Sequence, residues 1–117
     1  MNGRGAASEL LERIYTTGKV EDARGRALEA LPTGLPRAHT EELARLVRDE
    51  DAESTLETGM AVGLSTLAIC GVHADRGRGQ HVAIDPFQST DWRSIGWLNV
   101  RRASGQPQPV ADKTMAA

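Results

Sequence analysis

The sequence predicts an α/β fold in which two parallel strands are flanked by helices and preceded by N-terminal helices. Three observations carry that expectation. Ser54-Thr55-Leu56-Glu57-Thr58 reads as a short strand that runs into a turn bearing Gly59 and Gly63. Leu64-Ser65-Thr66-Leu67-Ala68-Ile69 then opens a helix. His81-Val82-Ala83-Ile84-Asp85 supplies a second strand, closed like the first by a carboxylate. Strand, helix and strand joined by so short a crossover imply parallel pairing, right-handed by the general rule.

The 117 residues have room for one modest domain, and 39% apolar with 26% charged residues is ordinary for a globular chain. A net charge of −2 offers no basic footprint, so nucleic acid is not an expected partner. The single Cys70 excludes an intramolecular disulfide. No apolar run approaches the roughly 18 to 20 residues that cross a bilayer, so no membrane is expected either. The stretch Met1 to Ala7 lacks the apolar centre of a secretory signal, and a cytoplasmic setting is the expectation.

In chain order, residues 1 to 7 are small and glycine-rich, and Ser8 is placed to cap a helix through Tyr15 with Leu10, Leu11, Ile14 and Tyr15 on one face. Gly18 ends it. Lys19 to Leu31 is polar, and Pro32, Gly34 and Pro36 break the chain, so residues 1–38 form a helical segment and connector. Thr40 is the expected N-cap of a helix through Arg48, with Glu41 and Glu42 in its first turn and Leu43, Leu46 and Val47 toward a core. The helix after the first strand carries Leu64, Leu67, Ala68 and Val72 on one side, and Gly71 to Gly79 has the composition of a loop. Asp85-Pro86 stops the second strand. Ser89 or Thr90 caps a further helix, Asp91 to about Ala103, with Trp92, Ile95 and Leu98 or Asn99 inward. Residues 104–117 lack apolar periodicity and are expected to be a disordered tail.

The central stretch suits a small charged ligand. Gly59 tolerates positive φ, and Gly63 lets the helix approach the strand closely. Free N–H groups at the helix start favour a carboxylate or phosphate. Glu57 could face a cationic group, directly or through water, and Asp85 could accept from the vicinal hydroxyls of a ribose. S-adenosylmethionine carries an ammonium, a carboxylate and a ribose. Dinucleotide binding is the rival, but its G-x-G-x-x-G fingerprint fails here: the spacing is G-x-x-x-G, and Ala61 stands where a middle glycine would be.

Leu56-Glu57-Thr58-Gly59-Met60-Ala61-Val62-Gly63-Leu64-Ser65-Thr66, followed by His81-Val82-Ala83-Ile84-Asp85-Pro86-Phe87, resembles the start of a class I S-adenosylmethionine-dependent methyltransferase, closest to small-molecule O-methyltransferase-like members. The resemblance implies that the E-x-G-x-x-x-G loop holds the methionine part of the cofactor, on Glu57, Thr58, Gly59, Met60, Ala61, Gly63 and Ser65. It implies that Asp85 binds the ribose and that Phe87 lies near the adenine. It covers about residues 40 to 103, within a domain at 39–103 that corresponds to the front half of a Rossmann-like fold. The chain therefore reads as a truncated methyltransferase fold with a small-molecule methyl acceptor. It supplies no residue assignable to catalysis.

Two parallel strands with three or four helices leave a strand edge unpaired, so a weakly stable monomer or a homo-oligomer formed through that edge is expected. Other readings are a non-catalytic interaction module that completes its sheet with a partner chain, and a fragment of a nicotinamide-dependent oxidoreductase. His39, His73, His81 and Cys70 show no metal-ligand spacing, so no metal site is expected. Cys70 reads as buried and inert.

Overall fold

The computed structural model describes residues 5–30, 34–85, 95–104, 109–110 and 114–116. Their elements run α1 (Ala6–Thr17), β1 (Lys19–Glu21), β2 (Ala27–Glu29), α2 (Arg37–Asp49), β3 (Ser54–Thr58), α3 (Leu64–Arg76), β4 (Gln80–Ile84), α4 (Ile95–Ser104), β5 (Pro109–Val110) and β6 (Thr114–Ala116). The architecture is mixed α/β, with two small sheets. β3 and β4 pair in parallel, Thr55 opposite His81 and Glu57 opposite Ala83. That is the expected strand, helix and strand unit.

Several elements depart from the sequence reading. Gly5, not Ser8, is the N-cap of α1, and Gly18 closes the helix in the left-handed region at φ +74°. Ser8 instead lies where α1 meets α3: a Cβ placed on Gly71 would stand 3.0 Å from the Ser8 hydroxyl. Gly71 is therefore a point of close helix approach inside α3, not the start of a loop, and α3 continues to Arg76 before Gly77 caps it at φ +71°. The supposed connector after Gly18 is an antiparallel hairpin, β1 on β2, with Val20 opposite Leu28. Its turn is organised by Asp22, whose Oδ1 accepts from the backbone N–H groups of Arg24 and Arg26 at 2.9 Å each.

α2 starts four residues earlier than expected, with Pro36 in place of Thr40 at its N-cap position. Thr40 is buried within the first turns of α2, where its hydroxyl donates to the Tyr15 hydroxyl at 3.1 Å and ties α2 to α1. Leu46, expected inward, is 46% exposed, whereas Val47 is buried. In residues 104–117, expected as a disordered tail, β5 and β6 form an antiparallel pair and β6 joins β4, so the second sheet has four strands in the order β3-β4-β6-β5. Backbone pairing on an open strand edge needs no apolar periodicity, which explains why the composition did not announce it.

α3 is the centre of the molecule, touching α1, α2, α4 and β4. Leu64 and Leu67 of α3 join Ala7, Ile14, Val20, Ala30 and Ile95 in the main core, and Ile69 and Val72 pack with Val47 of α2. Each large side chain fully buried this way contributes about 1.5–3 kcal/mol. α4 is held at its middle and in its last turn. Asn99 Nδ2 donates to the Val62 carbonyl at 2.8 Å, and Arg102 donates to the Glu21 and Asp22 carbonyls at 2.8 and 2.9 Å. Only one face of the β3–β4 pair is covered by α3. On the other, Leu56 is 66% and Ile84 41% exposed.

Candidate functional site

The turn between β3 and α3 is built on left-handed backbone, with Gly59 at φ +81°, Ala61 at +49° and Gly63 at +92°. The Gly59 N–H donates to the Ile84 carbonyl at 2.8 Å and carries the strand pairing one step beyond β3. The next two N–H groups, of Met60 and Ala61, converge on Asp85 Oδ2 at 2.7 and 3.2 Å. Successive N–H groups aimed at one oxygen form an anion-binding concavity, and here the anion is the protein's own carboxylate.

Gly63 is needed for a different contact from the expected one. A Cβ there would stand 3.1 Å from the Gly96 carbonyl oxygen and 3.2 Å from its Cα, so the glycine admits α4 rather than β3. Gly96 is equally constrained, since its Cβ would meet the Ala61 carbonyl and, at 2.8 Å, the Met60 sulfur. Met60 is buried with Ala83 and Val100. The first turn of α4 thus roofs the turn at Ala61 and Gly63, while the space over Gly59 stays open.

Glu57 and Asp85 leave adjacent parallel strands at the same end. Glu57 is opposite Ala83, and Asp85 follows two residues later, so alternation puts both on the face that α3 covers. Ser65 and Thr66, in the first turn of α3, both donate their hydroxyls to Glu57, the former at 2.7 Å. Thr58, by contrast, is exposed. Phe87 lies outside the described residues.

Residues to which the sequence reading gave no part in the site form the rest of the cluster. His81 is fully buried, with Nε2 3.0 Å from Glu57 Oε1 and Nδ1 2.8 Å from Thr55 Oγ1. Thr55 Oγ1 is also 2.9 Å from His73 Nε2, and His73 Nδ1 is 2.9 Å from an Arg76 guanidinium nitrogen. The chemistry of the end groups sets the direction of every bond when both rings are neutral. Arg76 only donates and the Glu57 carboxylate only accepts, so Arg76 donates to His73, His73 to Thr55, Thr55 to His81, and His81 to Glu57.

Burial pulls the Glu57 carboxyl upward, but the hydrogen bonds from His81, Ser65 and Thr66 outweigh it and hold the group below the ordinary carboxylate range. Burial, with the nearby positive charge of Arg76, holds His73 below the usual imidazole range. Burial, reinforced by the Glu57 charge, pushes the Cys70 thiol up to about 12.

Two cavities among the described residues lie away from the glycine turn. One of about 180 Å³ sits between α1, α2 and α3, lined by residues that include Tyr15, Arg37 and Thr40. One of about 320 Å³ is mostly apolar and includes Leu67, Cys70, His73 and Val100. Among the described residues no group of three or more His, Cys, Asp or Glu could hold a metal ion, and no helix is long and apolar enough to cross a membrane. The site thus brings Glu57, Ser65, Asp85 and the Gly59–Gly63 turn together at one sheet edge, and adds Thr55, Thr66, His73, Arg76 and His81 to them. Compared with family models, curated proteins and solved structures, the chain matches none.

Proposed function

We propose that residues 54–85 are the cofactor-binding unit of a Rossmann-like S-adenosylmethionine-dependent methyltransferase, with a small molecule as methyl acceptor. The observation that supports this most is the parallel β3–α3–β4 unit, with two glycines at positive φ after β3 and a carboxylate at the end of each strand. In this reading Glu57 serves the ammonium of the cofactor, the N–H groups of the turn its carboxylate, and Asp85 its ribose hydroxyls. Ligand entry then requires Asp85 to exchange its bonds to Met60 and Ala61 for bonds to the ligand, and the first turn of α4 to yield. Hydrogen bonds to a charged group are worth about 1.5–3 kcal/mol each, so binding is expected to be weak. No side chain of the site is assigned as a base for methyl transfer.

Calorimetric titration with S-adenosylhomocysteine tests the reading. Binding that Asp85→Ala abolishes, in a variant whose circular dichroism shows it folded, supports it. Absence of heat at millimolar ligand overturns it.

The second reading is an interaction module in which two copies of the chain pair through the outer edge of β3. It is favoured by the position of β3 at the end of the sheet and by the exposure of Leu56 beside it. Light scattering coupled to size exclusion distinguishes the two: a dimer that Leu56→Lys dissociates supports pairing, and a monomer at all concentrations rejects it.

A further inference from the structure

We infer that the cavity of about 180 Å³ between α1, α2 and α3 binds a small zwitterion, an α-amino acid with a short apolar side chain, whose carboxylate meets Arg48 and whose ammonium meets Asp75. This is a different place from the glycine turn, and the inference stands independently of the cofactor reading.

The cavity has two unlike ends. At one, the polar groups are already engaged. Tyr15 donates its hydroxyl to the Leu35 carbonyl at 2.6 Å and accepts from Thr40. Arg37 lies over the Tyr15 ring, 5.3 Å from its centre, and donates to both Glu12 carboxylate oxygens at 2.8 and 3.0 Å. At the other end the polar groups are not engaged. Ser8, Arg48 and Asp75 all line the cavity, and none has a hydrogen-bond or ion-pair partner among the described residues.

Packing gathers those three. Ser8 lies against Gly71, and a Cβ on Gly5 would stand 3.6 Å from Asp75 Oδ1, one helical turn further along α3. Arg48 follows Val47, which packs on Val72 of α3. A guanidinium presents a planar fork of donors to a carboxylate, a carboxylate accepts from an ammonium, and a hydroxyl can do either. Opposite charges that share one end of a cavity without bonding each other match the two charges of an amino-acid head group.

The remaining wall selects the side chain. Leu11, Ala44, Ala68, Gly71 and Val72 make it apolar and small, and Gly71 holds the space open, since a Cβ there would meet the Ser8 hydroxyl at 3.0 Å. A cavity of about 150 Å³ accepts benzene, so about 180 Å³ suits an amino acid from alanine to valine in size. Glu41, next to Thr40 and also without a partner, repels an acidic side chain.

The test is an NMR titration of the full chain at neutral pH with four probes. L-valine carries both charges, 3-methylbutanoate keeps its carboxylate without the ammonium, 2-methylpropylamine keeps the ammonium without the carboxylate, and L-glutamate adds an acidic side chain. L-valine is expected to bind with a Kd of about 1 mM and each other probe about tenfold or more weakly. Arg48→Gln is expected to weaken L-valine about tenfold and leave 2-methylpropylamine within about twofold. Asp75→Asn is expected to weaken L-valine equally and leave 3-methylbutanoate within about twofold. Arg48 and Asp75 are both exposed, so these variants are expected to fold, which circular dichroism checks. Ala44→Phe fills the cavity from a half-buried position and is expected to abolish binding.

No binding of L-valine at about 50 mM overturns the inference, as does any of the other three probes binding as tightly as L-valine. Unchanged L-valine affinity in folded Arg48→Gln, Asp75→Asn or Ala44→Phe overturns it equally. Each of these outcomes leaves the cofactor reading, tested with S-adenosylhomocysteine, as it stands.

Discussion

Gly63→Ala is the substitution that most directly tests how α4 lies on the glycine turn. The change introduces a Cβ at φ +92°, and left-handed backbone costs a residue with a Cβ about 1–2 kcal/mol. The new atom also stands 3.1 Å from the Gly96 carbonyl oxygen and 3.2 Å from its Cα. Both belong to backbone, so relief requires moving the first turn of α4, and overpacking of this kind costs about 1–3 kcal/mol. The expected total is roughly 2–5 kcal/mol. Gly59→Ala provides the control, because Gly59 has φ +81° but nothing within 4 Å of its Cβ position, leaving only the conformational part. Urea unfolding of both variants at 25 °C therefore isolates the contact. With slopes of about 1–3 kcal/mol per molar, the midpoint of Gly63→Ala is expected about 1 M below that of Gly59→Ala. Equal midpoints would refute the claim that α4 roofs the turn.

Further outcomes follow from the same site. Asp85→Ala leaves the Met60 and Ala61 N–H groups without their acceptor, and a loss of about 2–4 kcal/mol in chemical denaturation is expected, with Asp85→Asn losing less because an amide oxygen can still accept from one of them. Acidification is expected to weaken the fold in two stages. His73 sits below its ordinary 6.5, so the unfolded chain binds its proton first and stability falls as pH drops below about 6.5; Glu57 sits below its ordinary 4.5, so its contribution is present above that pH and is lost as pH falls through its lower folded value. Urea midpoints measured from pH 7.5 down to about 2.5 check both stages, and His73→Asn is expected to remove the first. Cys70, its thiol pushed up to about 12, is expected to react with a disulfide reagent at pH 8 many times more slowly in the folded chain than in denaturant.

The parts of this fold that could be read from sequence are those whose signals are local. The strand ending at Glu57, the helix starting at Leu64 and the strand reaching Ile84 were legible because a glycine turn and a crossover too short for anything but parallel pairing identify them. The β1–β2 hairpin was not, since three-residue strands are too short to show a period and the Asp22-to-Gly25 turn looks like ordinary polar connector. Gly71 misled because a glycine that admits a neighbouring helix is indistinguishable, in one sequence, from one that ends a helix. In the site, Glu57 and Asp85 were found from their positions at strand ends. The relay through Thr55, His73 and His81 was invisible because its members become neighbours only after β3 and β4 pair and α3 folds over them, and spacing along the chain carries no trace of that.

Bound within one helical turn to two separate parts of the chain, α4 behaves as a clasp rather than a simple cover. Asn99, at its middle, grips the glycine turn and Arg102, in its last turn, grips the outer hairpin through two carbonyls. Levering the clasp off one attachment strains the other, so a molecule that forces its way onto the turn should loosen β1 and β2 as well, and amide exchange in that hairpin becomes a remote gauge of occupancy.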